Sequence, residues 1–238
     1  MPAFDIVNPD AAFPLLLICD HASNAVPPEL GGLGLLPDEL QRHIAWDIGA
    51  AEVTRELSRL MNATALLGAV SRLVIDLNRP PDDACAIPAI SDGSLIPGNQ
   101  GLTSFDIQRR VQTYFAPYHD AIAGEIRRLK NPALVSVHSF TPVMNGFKRP
   151  WRLGILWNRD GRLALPLIEA LRREPGLLVG DNEPYSGRDL AYSMNIHAGA
   201  AGLLHAGIEI RQDLIDTPEK AQDWARRLAR ILKPLVPS

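Results

Sequence analysis

Lysine is scarce in this chain, with four residues against twenty arginines. Its cations are therefore mostly planar forks that hold carboxylates through paired hydrogen bonds, rather than point charges. Cysteine is scarcer still. Cys19 and Cys85 stand alone, which excludes a disulfide framework, and Cys19 closes an apolar run as a buried thiol would. No apolar run approaches the roughly 18 residues of a membrane span, so no membrane partner is expected. The N-terminus lacks a basic stretch followed by a long apolar one, and the cytoplasm is the expected location. Phosphate-binding glycine motifs are missing. So is the G-x-S-x-G elbow of serine hydrolases. Excess positive charge is missing as well: the net charge is -3 and the pI near 6.1, so no nucleic-acid partner is expected.

What the chain does have is alternation. Pro14 to Cys19 is a short apolar run of the kind that is covered on both faces of a sheet. The Pro- and Gly-rich loop that follows leads into helical spacing over Asp38 to Leu60. Further apolar stretches occupy residues 65–70 and 72–77, the second ending at Asn78-Arg79-Pro80. Residues 81–102 form a long connection rich in Pro, Gly and Asp, of the length at which loops are often functional lids. Thr103 and Asp106 have capping-box spacing, and helical periodicity runs from Ile107 to Leu129 with Pro117 as its kink. Strand candidates follow at Ala133 to Val137, Leu153 to Trp157, Leu177 to Val179 and Gly207 to Arg211. Helical segments read at 161–173, at 188–206 and from Thr217-Pro218 onward, where Thr caps and Pro takes the first turn. The pattern predicts an α/β protein, a central mixed or mostly parallel sheet with helices on both faces. No repeat or linker divides residues 1–238, which read as a single domain.

Ligands in such sheets bind beyond the carboxyl ends of the strands. The residues expected there are Asp20-His21, Asn78-Arg79, His138-Ser139 and Glu209. Neutral imidazoles at His21 and His138 are candidates to share one Zn2+ ion per chain, which would polarise a carbonyl and activate water. Asp47 is a candidate oxygen ligand from the following helix, with Asn24 as the alternative third ligand. His43, one turn from Asp47, reads as structural or as a partner to a ligand. Glu209 faces away from Ile208 and Ile210, and partial burial would suit it to proton transfer near neutral pH. An ion pair with Arg211 is the competing role. Asn78 and Arg79 suit a substrate carboxylate, or else Asn78 caps a turn. Tyr185, Ser186 and His197 are candidate pocket residues. The expected partner is a small carboxylate-bearing molecule. A metal-free ligand-binding or scaffold protein is the alternative of a different class.

These residues also carry a family resemblance. Val74-Ile-Asp-Leu-Asn-Arg-Pro80, Asp20-His-Ala-Ser-Asn-Ala-Val-Pro27, Val135-Ser-Val-His-Ser139, Asn182-Glu-Pro-Tyr-Ser-Gly187 and Ile208-Glu-Ile210 together resemble the N-formylglutamate amidohydrolase family. That family lies within the wider zinc carboxypeptidase and aspartoacylase-like group. The resemblance spans roughly residues 14 to 216. It implies a three-layer fold of the zinc-carboxypeptidase/phosphorylase-hydrolase kind and hydrolysis of an N-acyl amino acid, with N-formyl-L-glutamate first. A peptide or cell-wall amide is the alternative substrate. It implies His21 and His138 as metal histidines, Glu209 as base, and Asn78 with Arg79 as carboxylate clamp. The sequence departs from the wider group at Asn24, where a glutamate ligand is usual, and at Ala22-Ser23, where the family's Ser-Gly stands. The third ligand is open on these grounds.

Overall fold

A computed structural model describes residues 1–237. Its centre is a seven-stranded mixed sheet. The strands are β1 (Phe4–Val7), β2 (Leu15–Cys19), β3 (Thr64–Gly68), β4 (Ala133–Phe140), β5 (Leu153–Leu156), β6 (Val179–Asp181) and β7 (His205–Arg211). They lie in the order β1-β3-β2-β4-β7-β5-β6. The four central strands β3, β2, β4 and β7 are parallel. β1 runs antiparallel along β3, β5 runs antiparallel along β7, and β6 follows β5 in parallel.

Every residue of β2 is buried, and its alternating side chains divide the core. Leu15, Leu17 and Cys19 pack toward α1 (Ala50–Met61), α4 (Ala164–Arg172) and α6 (Pro218–Leu232). Leu16 and Ile18 join Tyr118 and Ile122 of α3 (Ala116–Arg128) on the opposite face. The sheet is thus flanked by helices on both faces, as the alternation predicts.

Local sequence explains several boundaries. Thr103 opens α2 (Ser104–Arg110) with the full capping box, its hydroxyl accepting from Asp106 N–H while the Asp106 carboxylate accepts from Thr103 N–H. Thr217 caps α6 by accepting from Lys220 N–H, with Pro218 in the first turn. Pro117 widens its helix instead of breaking it. Residues Val111–Phe115 form a π-helical turn ahead of α3, and Ala116 N–H reaches back five residues to the Val111 carbonyl.

Other expectations are corrected. Helix does not cover Asp38 to Leu60: a short 3₁₀ turn at Glu39–Gln41 is followed by turns, and α1 starts only at Ala50. Gly49 enforces that start. Its φ is +81°, and a Cβ there would collide with the Ile215 carbonyl. Asp47 consequently sits in the turn before α1, not inside a helix. Residues 72–77 are no strand either. Leu73, Val74, Ile75 and Leu77 are buried, but side chains satisfy their backbone: Asn99 donates to the Leu73 carbonyl and Arg110 to that of Val74. In 188–206 only α5 (Tyr192–Met194) and a π turn at Asn195–Gly199 are helical. The strand expected at 177–179 begins at Val179. β1 is a four-residue, half-exposed edge strand, too short to stand out from the sequence pattern.

Candidate active site and metal centre

The parallel strands β2 and β4 deliver two imidazoles to the same end of the sheet. His21 follows β2 by two residues, and His138 lies within β4. Asp47 reaches between them because its N–H donates to the His21 carbonyl at 2.9 Å. Asp47 Oδ2 lies 3.3 Å from His21 Nδ1 and 2.8 Å from His138 Nδ1. One donor atom from each of these three buried residues falls within 4.8 Å of the others. Ligands bonded at about 2.0–2.1 Å in a tetrahedron stand roughly 3.3 Å apart, so the spacing fits one ion. Two nitrogens and one oxygen, with a side open to a cleft, is the donor set of catalytic zinc.

The far side of each ring fits as well. His21 Nε2 lies 2.7 Å from Asp76 Oδ1, and His138 Nε2 lies 3.2 Å from Asp20 Oδ2, a charge contact whose angle is too poor for a full hydrogen bond. Carboxylates behind ligating histidines fix the ring and its tautomer, so both Nδ1 atoms turn toward Asp47. Tyr118 in turn donates to Asp20 Oδ1 at 3.0 Å. Arg72 ties the set together, reaching Asp47 Oδ1 at 3.4 Å and Asp76 Oδ2 at 2.8 Å.

Burial alone would keep these imidazoles neutral, but the surrounding carboxylates prevail. Asp76 and Asp47 raise His21 above the ordinary histidine value, and Asp20 with Asp47 raise His138 well above it. Burial opposes ionisation of the acids too. His21 and His138 nevertheless hold Asp47 far below the carboxylate range, as Arg72 and His21 hold Asp76. Glu209 is the exception. Burial, with the Asp47 charge added, pushes its carboxyl up to about 7 despite the opposing pull of His138. Its Oε2 is buried without a hydrogen-bond partner. The register of β7 on β4 sets Glu209 directly beside His138. The rival ion pair is not formed, since Arg211 turns to Asp213 at 2.8 Å.

His21, Asp47, Arg72, Asp76, His138 and Glu209 line a cleft of about 390 Å³. Asn78, Arg79 and Tyr185 also line it. Its outer wall includes Cys85, Pro88, Ile90, Ser91 and Asp92 from the 81–102 connection. Arg79 touches Asp76 and Asp83 only at 3.7 Å, leaving its donors available. Tyr185 accepts from Arg149 Nη2 at 2.9 Å, which frees its own O–H to donate. His43 lies on the cleft wall, 3.4 Å from Asp92, and is no partner of a ligand.

Three candidates fall elsewhere. The Asn24 amide donates to the Leu40 carbonyl at 2.9 Å, outside the cleft, so it is no alternative third ligand. Ser186 Oγ accepts from Arg188 N–H in its own turn. His197 lies behind the cleft wall against His119. Conversely, Arg72, Tyr118 and Arg149 escape the sequence reading. Arg72 was hidden inside the run misread as strand, and its four-residue spacing from Asp76 is the signal that was present. Cys19 is fully buried, and burial pushes its thiol well up, so it is no nucleophile.

A mixed sheet flanked by helices, with buried histidines and carboxylates gathered around a cleft at the ends of its parallel strands, has the form of an α/β enzyme. Within that class the chain belongs to the N-formylglutamate amidohydrolase family, which matches residues 13–216. It is a hydrolase of amide bonds. A gene product of Agrobacterium tumefaciens of solved structure is 36% identical, covering 99% of this chain and 95% of its own, with a TM-score of 0.94. An N-formylglutamate amidohydrolase from Ralstonia eutropha JMP134 shares the fold at 21% identity, with coverage of 98% and 99% and a TM-score of 0.70. Comparison with curated proteins gives no match. Among the described residues no helix is long and apolar enough to cross a membrane.

Proposed function

We propose that residues 1–238 form one metal-dependent amidohydrolase domain that cleaves a small N-acyl amino acid, N-formyl-L-glutamate first, to formate and L-glutamate. The observation that carries this reading is Glu209: a buried carboxyl pushed up to about 7, facing the cleft that His21, Asp47 and His138 share. A base should titrate near the working pH. We assign His21, Asp47 and His138 as zinc ligands, and we assign the fold to the zinc-carboxypeptidase/phosphorylase-hydrolase group. The mixed sheet with donors at its carboxyl ends supports that assignment. The metal-free alternative expects His21, His138 and Glu209 far apart or locked into structural hydrogen bonds; the two histidines do bond Asp47 and Asp76, but Glu209 Oε2 lies beside them in the same cleft without a partner, which favours the enzyme reading.

When bound there, zinc supplies Lewis-acid polarisation of the amide carbonyl and of water. Glu209 takes a proton from the attacking water and returns it to the departing nitrogen. Arg79 and Asn78 hold the substrate carboxylate, and Tyr185 donates into the cleft. Fixed orientation supplies part of the rate. A desolvated Arg–carboxylate contact is worth about 2–5 kcal/mol, so Arg79→Ala should lower kcat/KM at least roughly 30-fold. Steady-state kinetics with the free acid and with its carboxamide check this. Equal rates on both substrates in the unmodified enzyme would remove the clamp. Turnover of dipeptides alone would favour the peptide or cell-wall substrate.

Zinc ligation requires neutral imidazole, whereas the carboxylates here raise both histidines. Uptake near pH 7 should therefore release about one to two protons per ion and tighten as pH rises. Calorimetry in buffers of different ionisation enthalpy reads the number directly. A binding heat independent of buffer would show that the histidines are already neutral in the metal-free chain, and unchanged metal affinity in His21→Ala would contradict ligation.

A further inference from the structure

The loop that carries the clamp has no strand to hold it. Its geometry is imposed from behind, by residues outside the cleft. The Leu77 carbonyl accepts twice, from His119 Nε2 at 3.0 Å and from Ser193 Oγ at 3.0 Å. The next side chain is held as well: Asn78 Oδ1 accepts from Ser193 N–H at 3.0 Å. That contact fixes which way the Asn78 amide faces, since a backbone N–H can only donate. Its NH2 group is left for the cleft, where a carboxylate needs donors.

The histidines behind the loop make a one-way chain. A carbonyl only accepts, so His119 carries its hydrogen on Nε2. In the neutral ring Nδ1 is then an acceptor, and the contact of 2.9 Å to His197 Nε2 requires His197 to donate. The two ring planes differ by only 17°. His119 is buried and Ser193 fully so. Neither lines the cleft. Burial lowers both imidazoles, His197 to about 4 with His119 adding to the effect, which keeps the chain neutral at working pH.

We propose that His119, oriented by His197, and Ser193 are positioning residues that set the donor polarity of Asn78 and the placement of Arg79, and thereby the enzyme's preference for a substrate with a free carboxylate. This rests on the clamp role given to Asn78 and Arg79 above. His119 and Ser193 bond the clamp loop directly, at Leu77 and Asn78, and meet the histidine–carboxylate centre only at one remove, Ser193 beside Asp20 and His119 packed on Tyr118, whose hydroxyl donates to Asp20. Their loss should therefore affect recognition of the carboxylate and leave the metal centre and Glu209 in place.

The test uses the zinc-loaded full chain and a pair of substrates, N-formyl-glutamate and its α-carboxamide, with metal content measured in parallel. His119→Phe should raise KM for the acid about tenfold or more, with kcat changed less than about threefold. On the carboxamide it should change kcat/KM by less than about threefold, so that discrimination between the two collapses. His119→Gln, whose amide can still donate to Leu77, should recover most of it. Ser193→Ala should give a smaller loss of the same kind, and it serves alone if His119→Phe does not fold. A general structural defect would instead lower both substrates together, or lower the zinc content, and either result overturns the proposal. So does unchanged discrimination in both His119→Phe and Ser193→Ala. If the unmodified enzyme does not discriminate at all, the clamp reading itself fails, and the variants are not needed to show it.

Discussion

Glu209→Gln should lower kcat by about 10²–10⁴-fold, the range general-base catalysis commonly supplies, with zinc content unchanged. The substitution keeps the shape of the side chain and removes the one atom able to accept and return a proton. Two observations make the effect large. The carboxyl is buried, so no solvent water or neighbouring base replaces it easily, and its Oε2 is engaged by no other group. It is also pushed up to about 7, so it can both accept a proton from water and release it to the leaving nitrogen. A zinc ion beside it will favour the ionised form and bring the acid limb of the pH profile below that value. Steady-state kinetics and elemental analysis on one preparation decide the matter. Retained turnover would remove Glu209 from the proton transfer, and lost zinc would make it a ligand.

His138→Ala should abolish tight zinc binding and bring turnover down by about 10³-fold or more, since a polarising ion contributes several kcal/mol of transition-state stabilisation. Two donors then remain of three, and Asp20 keeps only Tyr118. Removing Asp76 as Asn should do less. It leaves all three donors and alters only the backing of His21, where such changes cost about 10–100-fold in metal affinity or activity. The order of the two effects, read by metal titration and kcat/KM, separates ligand from support. Equal zinc affinity in His138→Ala and the unmodified chain would end the metal assignment.

Much of this was legible in the chain. The run from Pro14 to Cys19 could only be a covered strand, and the residue after its end was the place to look for chemistry. That rule points to His21 and His138, and Glu209 is legible inside its strand as a carboxylate facing away from Ile208 and Ile210; the structure brings the three to one cleft. Asp47 was found for a wrong local reason. Helical spacing around it suggested a helix, whereas Gly49 delays the helix and leaves Asp47 in a turn that can reach between the strands. In the run 72–77 burial comes without strand formation. Its carbonyls are satisfied by Asn99, Arg110, His119 and Ser193, all distant in sequence, and no local pattern announces such partners. Arg72 was hidden for the same reason. His197 was sensed as functional but assigned to the cleft, when it stands behind the wall. Asn24 has the spacing from His21 of a possible third ligand, yet its amide is spent on a loop carbonyl.

The order of the parallel block also has a meaning in time. The candidate metal donors come at residues 21, 47 and 138, and the proposed base comes only with residue 209, on β7, which pairs with the strand that bears His138. The proposed base therefore sits on the last strand of the sheet to be made, so a chain cut short before β7 lacks both Glu209 and the strand that packs beside His138.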